Sequence, residues 1–150
     1  MAVPSGPVTA STDTERAMFD FVDAYDRAYE AAAVKHGLSV AQACVLGRLT
    51  RPRGMGELAN ELGCDASNIT QIIARLEARN LVRRQTHPHD RRSRQIIRTV
   101  GGDGLYAEFE ESFEFARSAL ANLSAKERDQ LAALLRKALT AGQDSDSSAP

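Results

Sequence analysis

The chain has 150 residues, 43% of them hydrophobic and 26% charged, with a formal net charge of -1. That is enough apolar material for one core and too balanced a charge for a disordered chain. No glycine-rich phosphate loop, metal-ligand spacing or nucleophile motif is present, which argues against an enzyme and against a bound metal or cofactor, and two cysteines without a secretory signal or long apolar run indicate a soluble cytoplasmic protein with free thiols and no membrane partner.

Residues 1–11 carry Pro4, Gly6 and Pro7 with no apolar periodicity, the pattern of a flexible arm. Thr12-x-x-Glu15 has the form of a capping box and predicts a helix to about His36, ended by Gly37. Its stripe of Met18, Val22, Tyr25, Tyr29 and Ala32 is widened by Phe19 and Phe21 beyond what one partner helix needs, so a subunit contact is expected. Ser39-x-x-Gln42 opens a second helix with Val45, Leu46 and Leu49 inward, and Arg51-Pro52-Arg53-Gly54 then breaks the chain.

Met55–Leu62 reads as a short amphipathic helix stopped at Gly63, followed at once by Asp65, a side chain suited to capping the next helix. That helix is predicted to run to about Arg79. Ile69, Ile72, Ile73 and Leu76 recur at spacings of three and four and face inward, leaving Ser67, Asn68, Thr70, Gln71 and Arg75 on the outer side. Two helices joined by a tight turn, the second with a short polar face, predict a helix-turn-helix whose second helix enters a major groove.

The period then changes. Leu81 to Thr86 and Gln95 to Thr99 are predicted strands, joined by a loop from His87 to Arg94, and together they make a wing. Between Arg75 and Arg98 stand eight Arg and no Lys against Glu77 and Asp90, a formal +6 inside a chain of net charge -1. Arg forks onto phosphates and enters narrow minor grooves, so this local charge predicts a polyanion partner. The fold class is therefore mainly α with a small β-hairpin wing.

A long helix is predicted from Leu105 to about Leu123, with Glu108, Glu110, Glu111 and Glu114 as a solvated face. Ser124-x-x-Glu127 caps a last helix carrying Leu131, Leu134, Leu135 and Leu139 and ending near Gly142; residues 143–150 are polar and expected to be disordered.

The ELANELG run at Glu57–Gly63, the I-T-x-x-I-x-R-L-E-A-R run at Ile69–Arg79, and the D-R-R wing ending in Thr99 before Gly102 resemble the winged helix-turn-helix of the MarR family of bacterial transcription regulators. Asn80 stands where that family mostly has Gly, a replacement a left-handed cap permits, and the Val-Gly-Gly-Asp-Gly after Thr99 predicts a looser helix start than in relatives. The resemblance implies a winged helix-turn-helix over 38–102, a homodimer formed through 12–37 and 103–142, and an inverted-repeat operator in double-stranded DNA. Ser67, Asn68, Thr70 and Gln71 are the expected major-groove residues, with Arg75 and Arg84 on phosphates. The resemblance further implies a wing tip in the minor groove, Asp90 orienting Arg92, with Arg91 and Arg94 beside it.

Relatives are often released from DNA by a small phenolic or other aromatic acid, or by cysteine oxidation. Tyr25, Tyr29, Cys44, Arg48 and Phe109 are the candidate effector pocket; Cys44 is expected to be an inert buried thiol, and His87 and His89 to meet the DNA backbone rather than a metal. The competing readings are a thiol-based redox regulator of the same fold and a winged-helix module that binds protein instead of DNA.

Overall fold

The computed structural model describes residues 8–141, so the expected disordered tail and most of the expected N-terminal arm lie outside the described residues. In chain order the elements are α1 (Asp13–Lys35), α2 (Val40–Arg48), β1 (Arg53–Gly54), α3 (Met55–Leu62), α4 (Ala66–Ala78), β2 (Val82–His87), β3 (Asp90–Arg98), α5 (Val100–Ser112), α6 (Phe115–Ala121) and α7 (Ala125–Ala141). The chain divides into two compact units, one up to Phe113 and one from Glu114.

Local hydrogen bonding explains where the helices begin. Ser39 and Gln42 close a reciprocal capping box on α2: the Gln42 amide donates to Ser39 Oγ at 3.1 Å and the Ser39 amide to Gln42 Oε1 at 3.0 Å. Ser124 and Glu127 do the same for α7. On α1 the box is offset, because Thr12 Oγ1 accepts from the Glu15 amide while the Glu15 carboxylate accepts from Ser11 instead of Thr12.

The core of the first unit is built from α2, α3, α4 and the sheet. Val45, Leu46, Leu58, Ile69, Ile73, Leu76 and Ile96 are wholly buried, each worth roughly 1.5–3 kcal/mol of transfer free energy. Ile72, expected inside, is only partly buried. The sheet is antiparallel in the order β1-β3-β2, with Arg53 opposite Ile96 and Val82 opposite Arg98.

Three expectations are corrected here. Arg53–Gly54, read as part of a break, is a two-residue edge strand on β3, too short to show a period of two. The second wing strand begins at Asp90, not Gln95, so the turn narrows to Pro88 and His89. The predicted helix from Leu105 to Leu123 is two helices, since α5 stops at Ser112 and α6 starts at Phe115. The break falls where packing takes over: the Phe109 carbonyl accepts both the Phe113 amide at 3.0 Å and Ser112 Oγ at 2.9 Å, and the Phe113 ring is held edge-on by Tyr25 and Tyr29 at 5.3 and 5.4 Å.

The start of α5 is also firmer than expected. Thr99 Oγ1 accepts from the Gly102 amide at 3.0 Å and donates to the Asn80 carbonyl at 2.6 Å, so one hydroxyl caps α5 and fixes the end of α4. Asn80 takes the left-handed conformation, φ 57°, as its place in the sequence predicts.

Candidate nucleic-acid interface

Gly63, at φ 60°, ends α3 in the left-handed region, and Asp65 starts α4 two residues later. Asp65 Oδ1 accepts from the Asn68 amide at 2.8 Å and from the Ser67 hydroxyl at 2.7 Å, and these two bonds hold its carboxyl below the usual aspartate range. A depressed folded pKa adds stability that is present above the unfolded value of about 3.9 and is lost as pH falls through the folded one. Asp65→Ala is therefore expected to lower the thermal midpoint at neutral pH, and the gap from the parent protein should shrink as acid is added. A gap that persists at the lowest pH at which both remain folded would show that the carboxylate is not the cap.

Ser67, Asn68, Thr70, Gln71 and Arg75 are all exposed along α4. Their chemistry differs more than their sequence suggests. The Ser67 proton is committed to Asp65, and Thr70 Oγ1 donates to the Ala66 carbonyl at 2.8 Å, so both hydroxyls face outward chiefly as acceptors. Asn68 and Gln71 keep both amide functions without a side-chain partner among the described residues, which leaves them able to fork onto a base edge.

The wing carries a wide irregularity. Thr86 pairs with Arg94 but His87 pairs with Asp90, so Arg91, Arg92 and Ser93 bulge out of the ladder at the tip. Asp90, which the resemblance implies orients Arg92, bonds to it through the main chain: its Oδ1 accepts the Arg92 backbone N–H at 3.0 Å, a turn-forming bond that shapes the tip. His87 serves the turn as well, its Nδ1 accepting from the His89 amide at 3.0 Å.

The eight arginines of this segment fall into two groups. Arg84 pairs with Glu77 at 2.9 Å, Arg79 donates to the Gly37 carbonyl at 2.6 Å, and Arg98 is folded inward against α2 and α5. Arg84, expected on a phosphate, thus spends its charge within the protein, as does Arg98 at the wing's base. Arg75, Arg83, Arg91, Arg92 and Arg94 are exposed and have no acidic partner among the described residues.

On another face of the first unit lies a cleft of about 460 Å³. Tyr25, Tyr29, Cys44 and Arg48 line it together. Phe109 does not: it is 2% exposed and packs under the Tyr29 and Tyr106 rings at 5.0 and 5.6 Å. Sequence reasoning missed Tyr106 and Glu61, which also line the cleft, because α3 and α5 reach it only through tertiary packing, and it missed Asp26 because an acidic residue on α1 reads as solvated. Burial above all, then a hydrogen bond with Cys44, pushes the Tyr29 hydroxyl above the usual tyrosine range; burial does the same for Tyr106. Cys44 is half-buried at this cleft rather than enclosed in the core. Arg48 stands 4.0 Å from Glu61, whose carboxylate is also gripped by Arg53.

Two helices joined by a tight turn and followed by an antiparallel wing define a winged helix-turn-helix fold. Residues 36–93, from the end of α1 through the wing, match the model of the MarR family. Apo wild-type MarR from E. coli is 24% identical with a TM-score of 0.71, covering 87% of this chain and 99% of that one. YusO from Bacillus subtilis is 24% identical with a TM-score of 0.69 over 86% and 94% of the two chains. A mutant of S. aureus MepR bound to an oligodeoxyribonucleotide is 19% identical with a TM-score of 0.60, over 87% and 99%. The match to the MarR family thus lies in residues 36–93, and the fold of the chain is that of these winged-helix structures. Among the described residues no helix is long and apolar enough to cross a membrane.

Proposed function

We propose that this protein is a transcription regulator that binds an inverted repeat in double-stranded DNA as a homodimer, represses from it, and is released by a small aromatic effector held in the cleft. The observation that carries this reading is the division of the arginines. In a segment of formal +6, Arg79, Arg84 and Arg98 are held within the protein, whereas Arg75 on α4, Arg83 on β2 and Arg91, Arg92 and Arg94 around the wing tip have no acidic partner among the described residues, beside an outer α4 face with two uncommitted amides. Solvation alone gives no reason for that sorting, whereas a polyanion lying along α4 and the wing does. That a MepR mutant of the same fold is bound to an oligodeoxyribonucleotide supports DNA as the polyanion.

Dimerisation is supported by apolar side chains left in water. Met18 and Val22 on α1 are each about half exposed, and Leu134, Leu135 and Leu139 on α7 are 64%, 54% and 76% exposed. The cleft supports effector release, its volume falling within the range of small-molecule sites and its rim combining aromatic faces with one guanidinium.

Selection of bound sequences from a random duplex pool tests the reading. Enrichment of an inverted repeat with half-sites one helical turn apart, roughly 34–36 Å, is expected, with affinity falling steeply as salt rises. No enrichment together with salt-independent binding would remove it in favour of a protein-binding module.

A further inference from the structure

We infer that Tyr106 and Arg98 form the link through which the cleft sets the position of the wing, with Arg98 as the positioning residue; this rests on the reading of cleft and wing as two parts of one regulator.

Arg98 ends β3, yet its side chain is only 17% exposed. Nη1 donates to the Leu46 carbonyl of α2 at 3.2 Å, Nε pairs with Asp103 in the first turn of α5 at 2.9 Å, and the guanidinium lies 4.9 Å from the centre of the Tyr106 ring. One residue thus ties the wing strand to two of the helices that line the cleft, α2 and α5. Tyr106 is itself a cleft residue. Its hydroxyl stands 2.7 Å from where a Cβ on Gly47 would be, and its ring stacks on buried Phe109 at 5.6 Å.

The consequence is mechanical. An occupant of the cleft that displaces the Tyr106 ring finds α2 already in contact with its hydroxyl and Phe109 beneath it, so the displacement passes to the guanidinium above. Arg98 cannot shift without disturbing β3, and β3 is the strand that both β1 and β2 pair with. The absence of a side chain at Gly47 is what leaves Tyr106 in its seat.

The test is amide hydrogen exchange on the full chain, with no DNA and no ligand. Gly47→Ala drives a methyl against the Tyr106 hydroxyl, the movable end of a side chain, and is expected to lower protection of the β3 amides about tenfold while leaving Ile69 and Ile73 of α4 unchanged. Adding Tyr106→Phe should restore protection, since the next atom of the ring lies 3.3 Å away. Arg98→Gln should lower β3 protection by itself and make Gly47→Ala without further effect. If Gly47→Ala does not fold, Tyr106→Leu removes the ring under Arg98 and carries the same expectation. Additive losses in the Arg98→Gln background, equal losses in α4 and β3, or no loss at all would each overturn the link. Failure to bind DNA is a separate result: it would remove the DNA reader and leave this coupling standing.

Discussion

Replacing Arg91, Arg92 and Arg94 together by Ala is expected to raise the Kd for the selected duplex on the order of a hundredfold or more, and to flatten its dependence on salt by about 0.9 in the log–log slope for each phosphate that is no longer neutralised. The three side chains are exposed and make no ion pair among the described residues, so the folded protein should lose little with them. Thermal melting of the triple variant close to that of the parent is the control that makes the affinity change interpretable. Arg84→Ala is the counterpart inside the same hairpin. Its guanidinium is held by Glu77 at 2.9 Å, and a smaller loss of binding is expected there although the charge removed is the same. Equal effects at Arg84 and at a tip arginine would mean that net charge alone, and not the shape of the wing, draws in the DNA. An unaltered Kd in the triple variant would take the wing off the DNA altogether.

The largest expected loss of stability lies far from the charged face. A Cβ built on Gly102 comes 2.0 Å from the Leu81 carbonyl oxygen and 3.0 Å from its carbon. Neither backbone has room to yield: the Leu81 carbonyl accepts from the Thr99 amide, the Leu81 amide donates to Leu76, and the Asn80 carbonyl takes the Thr99 hydroxyl. Gly102→Ala is expected to cost about 3 kcal/mol or more in urea unfolding, at the upper end for an overpacked site because the obstructing atoms are main chain. Gly104→Ala, two residues on in α5, meets nothing within 4 Å and is expected to be neutral or to stabilise by about 0.5–1 kcal/mol, the ordinary gain from replacing a helical Gly. The same chemical change with opposite signs separates close approach from helix propensity. Similar values at both positions would contradict the packing of α5 onto the α4–β2 junction.

These two glycines also show where sequence reasoning stops. Val-Gly-Gly-Asp-Gly reads as a poor helix start, and only the nearness of Leu81 tells Gly102 from Gly104. Features set by bonds a few residues long were legible: the boxes at Ser39 and Ser124, the cap at Asp65, the left-handed stops at Gly63 and Asn80, and the inward Ile69, Ile73 and Leu76. Features set by packing across the fold were not. The charge of α4 and the wing was plain in their eight arginines, but which of them remain unspent depends on Glu77 lying beside Arg84 and on Asp103 and Leu46 lying beside Arg98. Four of the five expected pocket residues do line one cleft; Phe109 fails because helical spacing cannot tell a rim aromatic from the one beneath it. β1 escaped because two residues carry no pattern.

The arrangement of the cleft has an optical consequence. The protein contains no tryptophan and three tyrosines, Tyr25, Tyr29 and Tyr106, and every one of them lines the cleft. Its near-ultraviolet fluorescence therefore originates almost wholly in the candidate effector site, while α4 and the wing contribute no emitter at all. Occupancy of the cleft changes the whole signal, and DNA laid along the recognition helix reaches it only through the protein. The unlabelled molecule is therefore its own sensor at the cleft, and any change in its emission on adding DNA would report coupling between the two surfaces.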